Sequence, residues 1–134
     1  MRYACLVMGI LFVLFTYWQF NDLEQYDTEW WQGWVLTYAL CSIISLVTWA
    51  KALPRWFYFS ISMVALGVAV YWSLGIEWHK TVLYNETNPS GNESGGLIII
   101  GVWFAVLAWV VAAPSWAAAA PWAAAASRTT AASW

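Results

Sequence analysis

Four apolar stretches, at roughly residues 3–20, 34–50, 56–75 and 97–113, contain no Asp, Glu, Lys, Arg or His. Each approaches the ~20 residues that an α-helix needs to cross ~30 Å of hydrocarbon at ~1.5 Å per residue. The slightly shorter ones leave flanking aromatics or a locally thinner bilayer to absorb the difference. A buried core helix is the alternative for any one stretch. Four of them in 134 residues would leave almost no amphipathic helix to cover such a core. Composition closes that route: 63% of the chain is hydrophobic and 9% is charged, against about 45–50% and about 25% in soluble domains. The predicted fold is therefore all-α, an integral membrane bundle of four transmembrane helices spanning residues 1–113.

Charge sets the expected orientation. Arg2, Lys51, Arg55 and Arg128 share one side if both termini are cytoplasmic, and Lys80 alone lies opposite. That bias obeys the positive-inside rule. The seven acids then all face away from the cytoplasm: Asp22, Glu24, Asp27 and Glu29 in the first loop, Glu77, Glu86 and Glu93 in the second. A bacterial cytoplasmic membrane or an organellar membrane is the setting this implies. The first stretch is read as a retained signal-anchor helix, because its apolar run from Leu6 to Phe15 is followed by Thr16-Tyr17-Trp18-Gln19-Phe20 and not by an Ala-x-Ala-like cleavage site.

The thirteen tryptophans fit the same frame. Trp18, Trp30, Trp31, Trp34, Trp72 and Trp78 fall near one set of helix ends, and Trp49, Trp56 and Trp116 near the other, where indole rings prefer the headgroup level. Trp103 and Trp109 lie deeper in the fourth stretch, in positions suited to packing or to a bound lipid. The segment 114–134 is an Ala/Trp/Pro-rich cytoplasmic tail with a low-complexity near-repeat. An interfacial helix held by Trp116 and Trp122 is one of two readings, the other being alanine in place of the true side chains, and no function rests on it.

Small residues at helical spacing mark expected contact faces. They are Thr37, Cys41 and Ser45 in the second helix, Ser62, Ala65 and Ala69 in the third, and Gly101, Ala105, Ala108 and Ala112 in the fourth. The short turn at 51–55 makes the second and third helices antiparallel neighbours. Pro54 suits the start of the third helix, where a missing N–H costs nothing. Cys5 and Cys41 differ in depth and read as small packing residues, not as a disulfide.

Catalytic constellations are missing. His79 is the only histidine, and metal sites want two or more ligands at fixed spacing. Its neighbour Glu77 makes a weak metal or proton-relay signal, for which a solvated helix end is the plainer account. Gly91, Gly95 and Gly96 are expected to form a turn before the fourth helix. Asn85-Glu86-Thr87 and Asn92-Glu93-Ser94 match the short glycosylation sequon. No basic cluster could neutralise a run of phosphates, so nucleic acid is excluded as a partner.

Two stretches resemble the transmembrane protein 220 family. Gln19-Phe20-Asn21-Asp22 is similar to its Gln-(Tyr/Val/Phe)-Asn-Asp-Pro-Asp signature, and Trp34 and Tyr38 stand where the family opens its second helix with Trp and Tyr. Asn92-Glu93-Ser94-Gly95-Gly96-Leu97-Ile98-Ile99 resembles its Arg-Glu-x-x-Gly-Leu-x-Ile stretch. Leu23 replaces the family's proline, Asn92 replaces its arginine, and the first loop is longer. The resemblance covers about residues 5 to 110. It implies the number and order of helices and no activity.

Asn21, Asp22, Glu77 and Glu93 fall on one side of the membrane, as a latch between the two loops or as a small ligand or ion site. The functional expectation is a non-catalytic accessory subunit packing beside larger membrane subunits of a respiratory or photosynthetic complex, in contact with the lipid bilayer. No cofactor is evident, although a bound lipid or pigment suits the apolar surface. The alternative is a small homo-oligomeric transporter or channel, with Thr37, Ser42, Ser45, Thr48, Ser60 and Ser62 as its only polar lining.

Overall fold

A computed structural model describes residues 1–25, 30–83 and 89–111, with side chains described for 1–20, 30–83 and 89–111. Four helices follow in order: α1 (Arg2–Gln25), α2 (Trp31–Ala50), α3 (Arg55–Ser73) and α4 (Pro89–Val111). All four contain segments long and apolar enough to cross a membrane, and no strand occurs among the described residues. Ala112, the 114–134 tail, Asp27, Glu29, Glu86 and the side chains of Asn21, Asp22 and Glu24 lie outside what is described.

Two boundaries differ from the expected ones. The α1 backbone stays helical through Asn21 and Asp22 to Gln25. The α4 helix begins at Pro89, so Gly91, Gly95 and Gly96 belong to its first two turns and do not form a turn before it. Proline is suited to the first helical turn. The helix can carry these glycines because tertiary contacts occupy two of the vacant Cβ positions: Val82 packs over Gly91, and the Tyr38 hydroxyl over Gly96.

The helices approach closely as two pairs, α1 with α2 and α3 with α4. The same device locks each pair. The Gly9 carbonyl of α1 accepts a 2.9 Å hydrogen bond from Ser42 of α2, and a Cβ on Gly9 would stand 2.7 Å from Leu46. The Gly101 carbonyl of α4 accepts a 2.8 Å bond from Ser62 of α3, and a Cβ there would stand 2.5 Å from Leu66. Each glycine is thus gripped by a serine and a leucine four residues apart on its partner helix. In lipid, helices gain little from burying apolar surface against each other, so close backbone approach and such hydrogen bonds carry the association.

Long side chains join the two pairs. The Trp103 indole donates to Ser45 at 3.0 Å, and the Trp34 and Trp72 rings meet at 6.5 Å between centroids. At the 51–54 turn the protons can be counted. Thr48 gives its single hydroxyl proton to the Ile44 carbonyl at 2.7 Å, so the 2.8 Å contact with Tyr58 runs from Tyr58 to Thr48. The Tyr58 oxygen in turn accepts from the Leu53 N–H at 2.7 Å. Tyr58 is fully buried and stacks on Phe104, which ties the turn to α4.

Candidate functional site

The expected contact stripes divide on folding. Ser45, Ser62, Ala69, Gly101 and Ala108 are buried between helices. Ala105 is not: it faces outward, and the α4 face that packs inward runs through Leu97, Ile100, Gly101, Phe104, Leu107 and Ala108. Thr37, Cys41 and Ala65 face each other across a gap and do not bring α2 and α3 together.

That gap is a cleft of about 530 Å³ between α2 and α3. Trp30, Gly33, Trp34, Thr37 and Cys41 form one wall, and Ser60, Ile61, Val64, Ala65, Val68 and Trp72 the other. Leu97 and Ile100 of α4, 6% and 1% exposed, form the floor. The cleft exists because aromatic bridges set the spacing of the helix pairs while small residues line both walls between them. The Trp34–Trp72 contact sets that spacing at one end and the Thr48–Tyr58 bond at the other. Its lining is almost wholly apolar. The Thr37 hydroxyl is turned back to the Gly33 carbonyl at 2.7 Å, and that of Ser60 to Trp56 at 2.9 Å.

Polar atoms gather beyond the Trp34–Trp72 end, toward the α3–α4 connection. Trp34 is 7% exposed, so its ring is a packed wall of the cleft and not the headgroup anchor expected from its position. It contacts Tyr38 at 6.2 Å between centroids, and Tyr38 reaches Gly96. Glu93 lies in α4 one turn before Leu97, on the same face as Leu97 and Ile100. Its carboxyl lies beside the Trp34 indole. The pair does not reach hydrogen-bonding geometry: Trp34 Nε1, Glu93 Oε2 and the neighbouring Ser94 Oγ are all buried with no partner among the described residues. Most buried polar groups are paired, so three such atoms in one region stand out.

The structure separates Glu77 from Glu93. Glu77 lies in the connection after α3, with both carboxylate oxygens 2.9 Å from Lys80 Nζ and one of them 3.5 Å from His79 Nε2. The Lys80 hydrogen bond holds the Glu77 carboxyl below its ordinary value, aided by the charges of Lys80 and His79. Among the described residues no group of three or more His, Cys, Asp or Glu side chains is placed to hold a metal ion. Cys5 and Cys41 are both buried free thiols. Sequence reading picked out Glu93, but it took Trp34 for a membrane anchor and Gly96 for a turn residue. Their shared spacing with Tyr38 and Leu97 on facing helices was the signal available.

No curated protein and no solved structure matches the chain. The family described as Transmembrane family 220, helix, matches residues 11–109, which contain the cleft, the Gly101–Ser62 lock and the Glu93 region, and the chain belongs to that family of multi-pass membrane proteins.

Proposed function

We propose that this chain is a non-catalytic accessory subunit, a small bundle that works by apolar contact within a larger membrane assembly of the respiratory or photosynthetic kind. One observation carries the reading: the hydroxyls that would have to line a transport path are used up inside the bundle. Ser45 and Thr48 bond to carbonyls one turn back, at 2.8 and 2.7 Å, as do Thr37 and Ser60, while Ser42 and Ser62 tie the helix pairs together. A permeating polar solute needs groups free to replace its hydration shell, and ionisable groups within the membrane are the usual mark of such a path. The outward faces instead present large apolar residues such as Leu36, Ile43, Met63, Val70, Val102 and Trp109. In this reading the termini are cytoplasmic and the two longer connections lie on the opposite surface.

The test is native mass spectrometry of the chain extracted in a gentle detergent, alongside ion and solute flux from liposomes that hold it alone. The expected result is a mass of this chain joined to larger membrane subunits, with no flux from the liposomes. A symmetric homo-oligomer that conducts would overturn the proposal and establish the channel.

A further inference from the structure

The α2–α3 cleft has the dimensions of a hydrocarbon chain. Its walls run from Trp30 to Cys41 on α2 and from Ser60 to Trp72 on α3, or about 16–18 Å at ~1.5 Å per residue. That is close to half of a ~30 Å hydrocarbon core, the depth of one leaflet. The cleft's volume is about 530 Å³. An extended acyl chain fits, and apolar pockets for small ligands span about 300–1,000 Å³.

The two ends of the cleft differ chemically. Toward Cys41 and Ile61 the lining is apolar or self-bonded. At the other end stand three indoles, Trp30, Trp34 and Trp72, with the Glu93 carboxyl behind Trp34. Trp34 is more than nine-tenths buried, forms part of the wall, and its N–H has no partner among the described residues. Indole faces attract cations, and a carboxylate accepts hydrogen bonds from an ammonium. We infer that the cleft is a binding site for a membrane phospholipid with an amine headgroup, its acyl chain between α2 and α3 and its ammonium at Glu93 among the indoles. The occupant is a phosphatidylethanolamine-type lipid, chosen over an anionic lipid because no Lys or Arg lines the cleft and Glu93, beside Trp34, is an acid. The inference holds whether or not the chain sits in a larger assembly.

Native mass spectrometry of the full chain in nanodiscs of equal phosphatidylethanolamine and phosphatidylglycerol tests it. The wild type should release carrying one phosphatidylethanolamine in preference to phosphatidylglycerol by about tenfold, the ratio conferred by one good charge-assisted contact. Glu93→Gln should bring that ratio near one while the chain still retains lipid. Gly33→Leu fills the cleft from a position where a new Cβ meets nothing within 4 Å. It should lose the retained lipid of both kinds. Gly67→Leu, equally open but absent from the cleft lining, should behave as wild type. Equal retention of the two lipids by the wild type, or undiminished retention by folded Gly33→Leu, would overturn the assignment. Should Glu93→Gln fail to fold, the wild-type ratio and Gly33→Leu decide the matter.

Discussion

Tyr58 shows what one residue can do at a helix turn. Its oxygen accepts the Leu53 N–H and its proton goes to Thr48, so two segments depend on one hydroxyl. Tyr58→Phe keeps the ring stacked on Phe104 but leaves the part-buried Leu53 N–H without its partner. The expected loss is about 1–3 kcal/mol, read as a lower midpoint in denaturing-detergent titration. Ser60→Ala removes only an exposed back-bond to Trp56 and is expected to leave that midpoint in place. Glu77 supplies a pH-dependent counterpart. Its folded value is depressed by Lys80, so its contribution is present above the ordinary 4.5 and is lost as pH falls through the lower folded value. Lys80→Met should move the Glu77 titration up toward 4.5, followed by NMR of the side-chain carboxyl carbon. An unmoved titration would remove the ion pair from the account of this loop.

Among the elements, α4 is where expectation and structure part most clearly. Four small residues at helical spacing read as one stripe, and Ala105→Leu would then block helix approach. The folded α4 turns Ala105 outward and uses Gly101 and Ala108 for contact. The expected outcomes follow the packing. Gly101→Leu forces a side chain into Leu66 and the nearby α3 backbone. It should cost about 1–3 kcal/mol and splay α3 from α4, seen as reduced cross-linking between cysteines placed on the two helices. Ala105→Leu should leave both stability and cross-linking unchanged. Reversal of the two results would mean that the α4 surface is rotated from the one described. On the α1–α2 side, Ser42→Ala should cost about 0.6 kcal/mol, the mean for hydrogen bonds between membrane helices, because it removes the bond to Gly9 without creating a clash.

The whole molecule is two glycine-locked hairpins held apart by aromatic side chains, and that spacing is what leaves the cleft between α2 and α3. Orientation across the membrane belongs to this scale too, and the proposal places His79 and Ala52 on opposite surfaces. The native thiols are buried, so they add little background to labelling. His79→Cys should react in intact cells with an impermeant thiol reagent, and Ala52→Cys only after permeabilisation. Labelling of Ala52→Cys in intact cells would reverse the topology and with it the leaflet of the proposed lipid.

The number, order and approximate extent of the helices were determined by the sequence alone, because a backbone in hydrocarbon must satisfy its own hydrogen bonds and a charge-free run of that length has one way to do so. The Asn92–Ile99 stretch and Trp34 with Tyr38 were legible as a family pattern, and Glu93 as a candidate. Their relation to one another was not legible. Periodicity tells which residues share a face of one helix, but in lipid nearly every face is apolar, so pattern cannot say which face meets protein. Tertiary structure decided that Ala105 looks outward, that Thr37, Cys41 and Ala65 border a cleft, and that the Glu93 carboxyl lies beside the Trp34 indole. The physical reason is the steric fit of glycine, serine and aromatic side chains on four separate helices, which is a property of their mutual rotation and of no single stretch of chain.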